Sequence, residues 1–241
     1  MKRALLEAIV AAAKAKTPIV VVTLLHGSSE RAWSPGDAGL DPPLRDAAER
    51  ALATDDAVTV ETAEGPVFLK PVNPPLRLVV VGAVHVAVPL SSIAATLGYE
   101  VTLIDPRAAF TRAERWSTGV SVRSEWPDEA LAAMNLDRRS AVVALTHDPK
   151  IDDPALQAAL RSPAFYIGAL GSRKTHASRI GRLAAAGFAG ADLDRIHGPI
   201  GLAIGARSPG EIAISILAQM TDVLRDGSVH RGSQRPTETV A

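Results

Sequence analysis

The sequence predicts an α/β fold, a parallel-sheet domain preceded by a small α+β domain. Two observations carry this expectation. Largely apolar runs at Leu76 to Val81 and Tyr99 to Ile104 flank a helix-period segment, the pattern of a βαβ unit whose strands are buried on both faces. Strand-like and helical segments then alternate as far as Arg225, whereas the region before Pro71 to Pro75 is shorter and less regular.

In chain order, Met1 to Lys16 has helical periodicity, Thr17-Pro18 interrupts it, and Ile19 to Leu25 reads as a buried strand ended by His26-Gly27-Ser28-Ser29. Trp33 to Pro43 holds too many breakers for a regular element. Leu44 to Thr54 fits a short helix, and Ala57 to Thr62 and Pro66 to Lys70 fit two strands around Glu64-Gly65. Residues 1–75 thus form the small module, with Pro71 to Pro75 as linker. After Leu76 to Val81, Gly82 begins a turn and Val84 to Leu97 fits a helix, Pro89 being tolerated in its first turns. Further strands are expected at Gly119 to Val122, Ala141 to Thr146 and Ala164 to Ile167. Helices are expected at Pro127 to Met134, Asp153 to Arg161, Lys174 to Ala186 and Pro209 to Leu224. Residues 76–225 therefore read as a Rossmann-like domain, and 226–241, small and polar, as a flexible tail.

Composition excludes several classes. Lys plus Arg and Asp plus Glu both number 26, so nothing attracts the whole chain to nucleic acid or an anionic membrane. No apolar run is long enough to span a bilayer and no signal-peptide core follows Met1, which predicts a cytoplasmic chain without membrane insertion. Cysteine is absent, which removes thiolate catalysis, disulfides and cysteinyl metal sites.

Four loops concentrate the chemistry. Gly82-Ala83-Val84-His85-Val86-Ala87 follows a strand as a GxGxxA nucleotide turn does, with Val84 where the middle glycine would let backbone approach pyrophosphate. Asp105 ends the next strand about 20 residues on, where a carboxylate accepts ribose hydroxyls or simply caps a turn. Thr146-His147-Asp148, with Asp152 and Asp153 beyond, closes a central strand, and serves either ligand contact or strand-end packing. Gly168-Ala169-Leu170-Gly171-Ser172-Arg173 leads into a segment whose Arg173, Lys174, Arg179 and Arg182 have no acidic residue between them. It reads as an anion-binding helix start or as an exposed basic helix. In the last loop, Ser208-Pro209-Gly210-Glu211 opens an apolar helix, and Glu211 either complements its dipole or faces a cleft.

Taken together, these motifs resemble the XdhC/CoxI family of accessory proteins for xanthine and carbon monoxide dehydrogenases. The resemblance rests on Gly27-Ser28-Ser29-Glu30-Arg31 with Pro35-Gly36, Val81 to Ala87, Ile104-Asp105-Pro106-Arg107, Leu145 to Asp148, Tyr166 to Arg173, and Gly198-Pro199-Ile200-Gly201-Leu202 with Ser208 to Ala213. It implies a homodimer that binds molybdenum cofactor, aids its sulfuration and delivers it to a cognate apo-molybdoenzyme. On this resemblance the cofactor-binding positions are Gly82, His85, Asp105, Arg107, Thr146, His147, Asp148, Gly168, Gly171, Ser172, Arg173 and Glu211. Gly27, Ser28, Ser29 and Arg31 form a cofactor- or partner-facing loop. Two departures stand out: the family's cysteine motifs are missing from a shortened first module, and Val84 replaces the usual central glycine. The expected function is a non-catalytic accessory role with no metal site of its own. An NAD(P)- or nucleotide-dependent oxidoreductase and an adaptor without cofactor are the alternatives.

Overall fold

Residues 3–27, 29–111 and 116–225 are described by the computed structural model, and the chain divides into two compact units between Pro74 and Pro75. Ser28 and the expected tail at 226–241 lie outside the described residues.

The first unit contains α1 (Arg3–Ala15), β1 (Ile19–Leu24), β2 (Glu30–Trp33), α2 (Pro42–Thr54), β3 (Val58–Thr62) and β4 (Gly65–Val72). Its strands form an antiparallel sheet in the order β2-β1-β4-β3. Val20, Val22, Trp33, Val67 and Leu69 bury their side chains against Leu40 and the Ala47-Ala48 face of α2. Trp33 belongs to a strand rather than to the irregular stretch expected there. It is 2% exposed and its Nε1 donates to the Asp37 carbonyl at 3.1 Å, so the breakers act only after it. α2 also starts earlier than expected, because Pro42 and Pro43 occupy its first turn, where no intrahelical N–H is needed. β4 runs to Val72, into the expected linker.

The second unit contains β5 (Arg77–Val81), α3 (Ala87–Thr96), β6 (Glu100–Ile104), β7 (Val120–Arg123), α4 (Pro127–Ala133), β8 (Ser140–Ala144), α5 (Pro149–Leu160), β9 (Tyr166–Ala169), α6 (Arg173–Ala185), α7 (Gly190–Leu193), β10 (Ile196–His197) and α8 (Pro209–Arg225). All its strand pairs are parallel, in the order β10-β9-β8-β5-β6-β7. Successive residues of β5 explain the layering. Leu78 and Val80 join one core with Leu90 of α3 and Ile216 and Met220 of α8, whereas Val79 and Val81 join another with Leu156 of α5 and Leu183 of α6. An apolar run with no polar alternation is what a strand covered on both faces requires.

The element boundaries differ from expectation in ways that matter for the loops. α5 begins at Pro149, not Asp153: the Asp148 side chain accepts the Lys150 N–H at 2.9 Å as N-cap and Pro149 takes the first helical position. α3 begins three residues after Val84, leaving 84–86 to the turn. α7 and β10, of 4 and 2 residues, are too short to show a period and were not expected.

Tyr166 ties β9 to α8. It is 1% exposed, its hydroxyl donates to Gln219 Oε1 at 2.6 Å, and the same oxygen accepts the Gly201 N–H at 2.8 Å. Tyr166→Phe is expected to cost about 1–2 kcal/mol, since it removes a buried hydrogen bond and little volume. Urea unfolding measures this, and an unchanged midpoint would show that the bond contributes nothing net.

Candidate functional site

The order of the second sheet places the carboxyl ends of β8, β5 and β6 side by side, with the direction of winding reversing between β5 and β8. Open sheets of this kind hold ligands in the crevice at that reversal. The turns that form it are fixed by two buried aspartates.

Asp105 holds the turn after β5. It is fully buried, and its carboxylate accepts four hydrogen bonds: Ala83 N–H at 2.8 Å, Arg107 N–H at 2.9 Å, and Arg107 Nε and Nη2 at 2.8 and 2.7 Å. Burial pushes the carboxyl up, but the Arg107 side chain and the two amides outweigh it and hold the group below its ordinary value. The Arg107 guanidinium also lies 4.6 Å from the centre of the Phe110 ring. Recognition of a ligand hydroxyl by Asp105 would require Arg107 to give way. Gly82 has φ 109°, and a Cβ there would meet Thr146 Cγ2 at 2.4 Å, so both backbone and space demand glycine. Val84 packs partly buried against the core, while His85 is exposed on the turn.

Asp152 holds the turn after β8. It is 1% exposed, and it accepts the Thr146 hydroxyl at 2.7 Å, the Thr146 N–H at 3.2 Å and the His147 N–H at 3.0 Å. This clamp keeps His147 at φ 64°, a left-handed conformation that costs a residue with a side chain about 1 kcal/mol or more. Burial pushes the Asp152 carboxyl above its ordinary value despite these bonds and the nearby Arg179. Arg179, which the exposed-basic-helix alternative would place in solvent, is 1% exposed, with Nη2 3.6 Å from Asp152 and 2.9 Å from the Leu170 carbonyl. Sequence reasoning named Asp152 beside the Thr146-His147-Asp148 cluster without giving it a role of its own and did not pair it with Arg179, because the two stand on different helices and no local spacing signals their meeting.

The other expected positions fall as follows. Ser172 is the N-cap of α6, accepting the Thr175 N–H at 3.1 Å, and Arg173 is exposed in the first turn. Gly171 has φ 147° and adjoins Thr175. Gly168 is buried within β9, where a Cβ would meet Ile200 Cδ1 at 2.4 Å, so its bareness serves packing. Glu211 accepts the Arg207 and Ser208 N–H groups at 2.7 and 2.9 Å, and its own N–H donates to the Ser208 hydroxyl at 3.3 Å, a reciprocal cap for α8. In the first unit Ser29 and Arg31 line a cavity of about 370 Å³ with Asp41 and Glu64, and Arg31 donates to the Gly39 carbonyl; Gly27 precedes them in the loop after β1. Thr146, His147, Asp148, Gly82, Asp105 and Arg107 thus share one edge of the parallel sheet.

A wholly parallel sheet covered on both faces, with its polar turns at the reversal of winding, defines the second unit as a Rossmann-type α/β domain. The family model for the XdhC Rossmann domain matches residues 78–220, and the chain belongs to that family. It is 31% identical over 151 residues to the molybdenum cofactor insertion chaperone PaoD of Escherichia coli, covering 63% of this chain and 41% of that protein. It is 28% identical over 180 residues to a probable xanthine dehydrogenase component of Bacillus subtilis, covering 75% and 52%. The chain therefore spans about half or less of these relatives. A crystal structure of a xanthine dehydrogenase from Bacillus halodurans has the same fold, with a TM-score of 0.70 at 24% identity over 95% of this chain and 68% of that one. Among the described residues no helix is long and apolar enough to cross a membrane.

The two aspartates give opposite pH dependences. Because the Asp105 carboxyl is depressed from 3.8, its contribution to stability is present above that value and lost as pH falls through the folded-state value, whereas Asp152, being raised, loses stability as pH rises through its own. Urea unfolding from about pH 6 to about pH 3 should show a shallower acid loss for Asp105→Asn than for the parent. Parallel curves would remove Asp105 from the acid response.

Proposed function

We propose that this chain is an accessory protein that binds molybdenum cofactor and helps deliver it to, and mature, an enzyme of the xanthine or carbon monoxide dehydrogenase type. The observation that carries the reading is a family-matched Rossmann unit whose capped, cationic start of α6 stands one strand from a hydrogen-bonding turn. A relative named as a cofactor insertion chaperone supports it.

The donor chemistry fits the organic part of the cofactor. Gly171, Ser172 and Arg173 would hold its phosphate through first-turn amides, a hydroxyl and a guanidinium. Thr146, His147 and Asp148 would meet the polar edge of the pterin. Without cysteine the chain offers no thiolate to molybdenum, so it holds the ligand by hydrogen bonds and charge alone. The cofactor supplies molybdenum redox chemistry to the recipient enzyme; this chain orients and shelters it. In this reading the protein works in the cytoplasm as a homodimer, and the loop from Gly27 to Arg31 meets cofactor or recipient. The strand order also suits NAD(P), but Val84 packs into the core where pyrophosphate needs bare backbone, and Arg107 occupies the carboxylate that would take ribose.

Native mass spectrometry with molybdenum cofactor, NAD and AMP tests the reading. A saturable cofactor-dependent mass shift is expected, weakened about fivefold or more by Arg173→Ala with the circular dichroism spectrum retained. NAD binding with turnover would replace the accessory role with an enzyme. A specific complex with an apo-molybdoenzyme, without any cofactor shift, would replace it with an adaptor.

A further inference from the structure

A second polar cleft of about 250 Å³ lies between α5 and α6, lined by His147, Pro149, Asp152, Lys174, Thr175, Ser178, Arg179 and Arg182. Gly171, Ser172 and Arg173, the positions assigned to the cofactor phosphate, do not line it, and of the residues assigned to the pterin edge His147 does. We propose that this cleft is a separate site for a phosphoryl-type oxyanion, held by Lys174, Arg179 and the hydroxyls of Thr175 and Ser178. The proposal extends beyond the cofactor reading and does not depend on it.

Charge is the first argument. The wall carries three cations, Lys174, Arg179 and Arg182, against one carboxylate, Asp152. That carboxylate is already directed to the turn after β8, where Thr146 and His147 supply three hydrogen bonds. Asp153, which does not line the cleft, takes Arg182 through Nε and through Nη2 at 3.0 Å. The remaining positive character therefore rests on Lys174 and Arg179.

The second argument is an unmet donor requirement. Arg179 is 1% exposed yet forms part of the cleft wall, and its Nε and Nη1 make no hydrogen bond. Buried guanidinium nitrogens without acceptors are costly, and the 3.6 Å separation from Asp152 leaves that carboxylate a distant partner. A phosphoryl-type oxyanion lodged in the cleft would supply a charged acceptor to one of these free donors, a charge-assisted hydrogen bond stronger than a neutral one. The third argument is direction: Pro149 and Lys174 stand in the first turns of α5 and α6, so both helix dipoles favour negative charge in the cleft. A space of about 250 Å³ is below the usual range for whole organic ligands, which restricts it to a free oxyanion or the phosphoryl end of something larger.

Isothermal titration with inorganic phosphate and with glycerol phosphate tests this; neither probe contains pterin or molybdenum, and binding retained in Arg173→Ala separates the cleft from the cofactor-phosphate position at the start of α6, whereas binding lost in that variant overturns the proposal. Saturable binding of one ion per chain is expected, weakened about tenfold or more by Lys174→Glu and by added salt, and retained by Lys174→Arg. Arg179→Lys should also weaken it, because a lysine ammonium does not reproduce the fixed N–H directions of the guanidinium; Lys174 is exposed, so its variants keep the test valid if the buried change unfolds the protein. Tighter binding of glycerol phosphate would identify a phosphoryl group on a larger ligand, and tighter binding of phosphate a free anion; both uphold the site. No saturation with either probe, or equal affinity in Lys174→Glu, overturns it.

Discussion

The second unit depends on a missing side chain. Because Gly82 has no Cβ, the Thr146 methyl can fill the space beside it, and the turns after β5 and β8 lie against one another. Each turn is then held from beneath by its own buried carboxylate, Asp105 or Asp152. The crevice is thus made of backbone that side chains have already fixed, the arrangement that lowers the ordering cost of binding.

The two carboxylates reach neutrality by different routes. Asp105 meets Arg107 two residues away, in a bidentate contact with one partner still part-exposed. Asp152 and Arg179 come from different helices and are both almost fully buried. Desolvating two charges costs several kcal/mol each, so a pair held at this distance is poor evidence of stabilisation. It makes better sense as a group kept for what it can bind or position, with Asp152 holding His147 in its left-handed conformation and Arg179 keeping donors unspent.

Much of this was legible in the chain itself. β5 and β8 announce themselves through the apolar runs Leu78 to Val81 and Ala141 to Ala144 because both faces of the sheet are covered, and the Ser208 to Glu211 cap is a local spacing. The start of α5 was obscured because Pro149-Lys150 reads as a turn, although Pro149 stands where a helix tolerates it and Asp148 supplies the cap. Arg179 was hidden for a deeper reason. Four cations without an acid look like a solvated face until the acid on a neighbouring helix is brought to them, which only tertiary packing decides. Gly168 looked like a phosphate glycine, and its missing Cβ also gives Ile200 room; bare backbone looks the same in sequence whichever neighbour needs the room.

The parallel sheet ends in β7, of 4 residues, and β10, of 2. Edges this short present few unpaired N–H and carbonyl groups to another chain. Two copies joined by continuing this sheet would gain few backbone bonds. An assembly that used helix faces and loops of this unit would instead draw on residue identity, rather than generic strand pairing, to decide which partner is accepted.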